Sequence, residues 1–92
     1  MKRPDREQVV KLTDLPNIGK AMERDFRLLG VERPDQLVGR DPFALYEELC
    51  RVTGVRHDPC VLDVFMAAVH FMESGEALPW WAFTKERKAR WR

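Results

Sequence analysis

Apolar residues recur at helical spacing along most of this chain. Between Asp5 and Asp14, Val9 and Leu12 share one face with Val10 flanking them, which predicts a first helix. From Lys20 to Leu29, the stripe of Met22, Phe26 and Leu29 predicts a second, with Gly30 placed as its C-terminal cap and Val31 closing it. Pro34 starts a short turn of helix through Val38 that stops at Gly39 and Arg40. Asp41 followed by Pro42 is a stronger start signal. The carboxylate caps and the proline fits the first helical position, so Phe43, Leu45, Tyr46, Leu49, Cys50 and Val52 form the apolar side of a helix ending at Gly54. Asp58 and Pro59 repeat the device. The helix they launch, to Ser74, is apolar nearly all round and is expected to be the central rod, ended by Gly75. Leu78 to Phe83 is aromatic and without periodicity, and Thr84 is placed to cap a last helix from Lys85 to Trp91. No β-branched run alternates with polar residues, so the class is all-α, with about five helices. The core is expected over residues 5–78, and residues 79–92 form an aromatic, basic extension. The pattern from Leu12 to Leu29 is faintly echoed from Leu37 to Val52.

Length and charge narrow the function. Ninety-two residues make one small domain, which buries roughly 60–65% of its surface. With 45% apolar and 34% charged residues the chain reads as a globule, and a net charge of +1 excludes a general basic coat. Nucleic-acid contact would have to come from a local patch. Met1, Lys2 and Arg3 run into Pro4, Asp5 and Arg6 with no apolar leader behind them, which points to the cytoplasm. The apolar run from Cys60 to Met72 is shorter than the ~20 residues of a membrane span and is broken by Asp63 and His70. Cys50 and Cys60 are too few for a disulfide framework and are expected to be reduced.

The stretch Leu15, Pro16, Asn17, Ile18, Gly19, Lys20 has the composition of a tight turn entering a helix. Pro16 fixes its own φ, Asn17 tolerates the left-handed region, and Gly19 permits angles or approach distances that a Cβ would forbid. Ile18 then points inward. The first amides of the following helix have no intrahelical acceptor and sit at the positive end of the macrodipole, so they form an anion site with Lys20 beside it.

With its Leu28, Leu29, Gly30, Val31 ending, the segment Leu12 to Gly30 resembles a helix-hairpin-helix motif. That resemblance implies a small SAM-like domain whose hairpin amides grip a DNA phosphate without reading base sequence. Thr53, Gly54, Asp58, Pro59, Cys60, Val61, Leu62, Asp63, Val64 and Phe65, then Pro79, Trp80, Trp81, Thr84, Arg87 and Lys88, are similar to a small bacterial family of helix-hairpin-helix proteins labelled "pathogenicity locus" or mitomycin resistance. The resemblance implies a fold and nucleic-acid contact, and no reaction. Asn17 stands where the motif usually has its first glycine, and Glu23 where it usually has a small residue. Glu23 and Asp14 oppose a phosphate there, while Lys20, Arg24 and Arg27 favour one; Arg24 lies one turn beyond Lys20. The second half is a poorer candidate, because Asp41 would put its own carboxylate on the amides a phosphate needs.

Cys50, His57, Cys60 and His70 are zinc-ligand types, but only His57 and Cys60 form a close pair, and the spacing argues against a metal site. Asp63 and His70 share a helix face about 10 Å apart, too far for an acid–base dyad, and are expected to be its polar edge. No nucleophile triad, P-loop or carboxylate cluster appears, so the sequence predicts neither an enzyme nor a cofactor. Lys85, Arg87, Lys88, Arg90 and Arg92 face only Glu86, which makes the tail the most basic stretch. Trp80 and Trp81 are expected to cover the end of the core, with Trp91 exposed; the alternative is that the three tryptophans stack on bases or on a partner. Two readings result. In the first, Asn17, Ile18, Gly19, Lys20, Arg24, Lys85, Arg87 and Lys88 hold DNA or structured nucleic acid weakly by its phosphates. In the second, the same scaffold is a protein adaptor, or self-associates, through Trp80, Trp81 and Trp91.

Overall fold

The computed structural model describes residues 9–90. Its helices are α1 (Lys20–Leu28), α2 (Pro42–Thr53), α3 (Pro59–Ser74) and α4 (Thr84–Arg90), joined by 3-10 turns at Leu12–Asp14, Pro34–Leu37 and Trp80–Phe83. The described residues contain no strand, so the domain is all-α. None of the described helices is long and apolar enough to cross a membrane.

α3 is the rod around which the rest is built. Leu62 to Val69, with Phe71 and Met72, are buried along it. Phe26 of α1 stacks on Phe65 with ring centroids 4.8 Å apart, and Leu45, Tyr46 and Leu49 of α2 close a second side. The caps follow the sequence closely. Asp41 and Asp58 accept hydrogen bonds from the amides of Phe43 (3.0 Å) and Cys60 (2.8 Å), while Gly54 and Gly75 end α2 and α3 with left-handed backbone. At the end of α1, Gly30 donates to Arg27 and Val31 to Phe26, a Schellman closure that buries Val31 on the core.

The N-terminal segment departs from the expected helix over Asp5–Asp14, whose residues 5–8 lie outside the described ones. Val9 to Lys11 are not helical, and only Leu12–Asp14 forms a single 3-10 turn. Asp14 is the cause. Its Oδ2 accepts from the amides of Val10 (3.0 Å) and Lys11 (2.9 Å), a side-chain alternative that replaces helical bonds.

The faint echo in the sequence is a backbone repeat in a different register. As Asp14 takes the amides of Val10 and Lys11, Gln36 takes those of Glu32 and Arg33. Ile18 donates to Leu15 as Arg40 donates to Leu37, Asn17 and Gly39 both have positive φ, and Gly19 and Asp41 occupy the N-cap positions of α1 and α2.

The C-terminal segment belongs to the core. Phe83 is buried, and Asp63, expected on a polar edge, is 0% exposed because α4 returns across it. Asp63 accepts from the Thr84 hydroxyl (2.7 Å) and from Arg87 Nε (2.6 Å). Thr84 therefore does not cap α4; its backbone is already helical and its hydroxyl serves Asp63.

Candidate nucleic-acid interface

The Asn17–Lys20 turn is assembled by opposite demands on neighbouring residues. Leu15 and Ile18 are buried, which pins both ends of the reversal to the core, and Asn17 between them is exposed at φ 69°. Asparagine adopts this region more readily than other L-residues. Its Nδ2 donates to the Leu78 carbonyl at 3.0 Å, so the side chain ties the turn to the segment after α3. Gly19 has φ −100° and ψ −171°, extended backbone that any residue adopts. No atom of the chain lies within 4 Å of where a Cβ would stand. Neither angle nor internal packing therefore requires glycine at this position.

Helix α1 begins at this turn without a side-chain cap, whereas α2 and α3 are capped by Asp41 and Asp58. Its first amides are open to an external acceptor. Lys20 and Arg24, four residues apart, are both exposed. The two opposing carboxylates are engaged. Asp14 accepts the Val10 and Lys11 amides, which hold its carboxyl below the ordinary value, and half-buried Glu23 lies 3.7 Å from Arg27. In the second turn the amide of Gly39, the counterpart of Asn17, donates to the Glu73 carboxylate at 2.9 Å. That turn thus holds an anion from its own chain.

The basic residues of α4 divide. Arg87 is 11% exposed and paired with Asp63, so the structure uses it internally. Arg90 stacks over Phe43, 4.4 Å from the ring centroid, and reaches Glu86 at 3.5 Å. Lys85 and Lys88 are exposed. Trp80 packs against the core as expected, but Trp81 is 64% exposed, and the two rings meet edge to face at 5.6 Å. Trp91 lies outside the described residues, as does Arg92.

The other constellations serve local structure. His57 donates its amide to Cys50 Sγ at 3.5 Å and pairs with the Thr53 hydroxyl through Nε2 at 2.9 Å. His70 reaches Glu76 at 2.7 Å, and the half-buried Cys60 thiol is pushed up by its bond to Asp58. The described residues hold no group of three or more side chains able to bind a metal ion. The sequence offered no signal for the buried Asp63–Arg87 pair or for the Asn17–Leu78 link, since both depend on how the last segment returns.

The profile of the family described as Cdd1, pathogenicity locus, matches residues 5–89. The mitomycin resistance protein McrB of Streptomyces lavendulae is 46% identical over 77 residues, spanning 84% of this chain and 73% of that protein. No solved structure matches the chain.

Proposed function

The chain belongs to the pathogenicity-locus family, and from that premise we propose that it binds DNA without base specificity through the Asn17–Lys20 turn, in the manner of a helix-hairpin-helix motif whose first helix is here a single 3-10 turn. The observation that carries this reading is Gly19. The fold makes no use of its missing Cβ, and it stands at the one uncapped N-terminus among the three longer described helices. A glycine there clears the approach of an external group to the amides. Lys20 and Arg24 supply the counter-charge, and in the second turn the counterpart of the Asn17 amide, that of Gly39, already holds a carboxylate. The mechanism is phosphate capture with no bond made or broken, suited to an accessory of DNA maintenance.

Gly19→Asp is the discriminating variant. It gives α1 the cap that α2 and α3 already have, so the helix should be at least as stable by thermal melting, while a carboxylate occupies the phosphate position. Fluorescence anisotropy with labelled duplex and single-stranded DNA at low salt should show binding by the parent and at least a tenfold loss in Gly19→Asp, on the order of one charge-assisted contact. Equal binding by both proteins would refute the hairpin as the site. Absence of binding by the parent would replace this reading with the adaptor role.

A further inference from the structure

Trp81 is a large apolar ring left mostly in water at 64% exposure. Tryptophan is highly buried on average, so this exposure needs a physical reason. The ring does not hang free. Trp80 packs against the core and meets Trp81 edge to face at 5.6 Å, with the planes 84° apart, which gives the outer indole a fixed support. The 3-10 turn Trp80–Phe83 is itself anchored by buried Phe83.

Its surroundings indicate what the face is for. The Asn17–Leu78 hydrogen bond joins the proposed phosphate turn to the chain just before the tryptophans. Only Pro79 and Trp80 separate Leu78 from Trp81, three Cα steps that span at most ~11 Å, equal to the rise of only a few nucleotides. On its C-terminal side the 3-10 turn runs straight into α4, where Lys85 and Lys88 lie three residues apart on one face. Both are exposed, while Arg87 and Arg90 of the same helix are engaged with Asp63 and with Phe43 and Glu86. The segment therefore presents an exposed aromatic ring, with the exposed Lys85 and Lys88 in the helix that follows it. That combination suits a polyanion whose bases are unstacked, because each base has a π-face and each phosphate a charge. Duplex DNA keeps its bases inside the stack and offers Trp81 nothing to stack on.

We propose that Trp81 is a base-stacking residue, with Lys85 and Lys88 of the following helix as phosphate contacts, and that it makes single-stranded nucleic acid the preferred ligand. The proposal rests on the hairpin reading above for its neighbouring phosphate contact and adds the strand state of the ligand.

The test compares a short oligothymidylate with its duplex on oligoadenylate, using the full chain, Trp81→Ala, Trp81→Phe and Gly19→Asp. The single strand should bind the parent more tightly and quench tryptophan emission. Trp81→Ala should lose about 5- to 100-fold in single-strand affinity, the range for removing one stacked base, and keep its duplex affinity. Trp81→Phe should retain most of the single-strand affinity, which a role for the indole N–H would not allow. If Trp81→Ala binds both ligands as the parent does while Gly19→Asp loses them, the stacking proposal is overturned and the hairpin reading stands. If the parent binds neither ligand, both fall. A parent that dimerises through Trp81, with Trp81→Ala monomeric and unchanged in single-strand affinity, also overturns the proposal.

Discussion

The Asp63–Arg87 pair is the contact whose loss should cost this fold most. Asp63 is 0% and Arg87 11% exposed, and the carboxylate also accepts the Thr84 hydroxyl. Arg87→Met keeps the aliphatic stem and removes the charge, leaving a buried carboxylate with one remaining bond. Breaking a buried pair from one side costs about 3–5 kcal/mol. For 92 residues the whole stability is on the order of 5–14 kcal/mol, so the variant should melt about 15–30 °C lower. Asp63→Leu should cost less, since Arg87 lies near the surface and can swing its head into water. The double variant should return to within about 2 kcal/mol of the parent, because an apolar pair avoids the desolvation penalty. Urea unfolding followed by circular dichroism measures all four proteins and closes the cycle. If Arg87→Met costs under about 1 kcal/mol, the value of an exposed ion pair, the inference that α4 is locked to α3 by a buried charge is wrong. The refolded double variant should also bind DNA as the parent does, since Arg87 faces Asp63.

Asn17→Gly keeps the positive φ without strain but removes the bond to the Leu78 carbonyl, and should cost about 0.5–1.5 kcal/mol in urea unfolding. Asn17→Ala should cost more, because it loses the same bond and adds about 1–2 kcal/mol of left-handed strain. The Lys11 and Val10 amides hold the Asp14 carboxyl below its ordinary value; its contribution to stability is thus fully present above the unfolded pKa of about 3.9 and is lost as pH falls through the lower folded value. The protection factors of the Val10 and Lys11 amides, taken against intrinsic exchange at each pH, should therefore fall in acid, and Asp14→Asn, which keeps an acceptor but no charge, should flatten that dependence. Asp41→Ala should lose about 1 kcal/mol by thermal melting, having removed the acceptor for Phe43.

The parts of the fold legible in the sequence are those whose signal is local. Asp41-Pro42, Asp58-Pro59 and Gly30-Val31 mark helix ends through bonds within a few residues, and they form as read. The nearly continuous apolar run after Pro59 identified α3 as the core helix without reference to its partners. Periodicity misread Val9 to Asp14, because a side chain rather than a carbonyl takes the amides there. It also left Asp63 on a polar edge, since a helical face does not reveal that Thr84 and Arg87 will cover it. The backbone repeat stayed faint because equivalent positions use different chemistry: Asp14 and Gln36 as acceptors, Asn17 and Gly39 at positive φ, Gly19 and Asp41 as N-caps. In the candidate site, Asn17 to Lys20 and Arg24 were visible as one turn and one helix face. The division of the tail into engaged Arg87 and exposed Lys85, Lys88 and Trp81 was not, because it depends on which face α4 lays on α3.

The most direct test of phosphate capture is the salt dependence of single-strand affinity, measured by anisotropy with the parent protein and with Lys20→Glu. If Lys20, Arg24, Lys85 and Lys88 each neutralise one phosphate, log K should fall linearly with log salt at a slope of about −3, and the variant's slope should be shallower by roughly 0.7. A slope near zero, or one that Lys20→Glu leaves unchanged, would contradict the account.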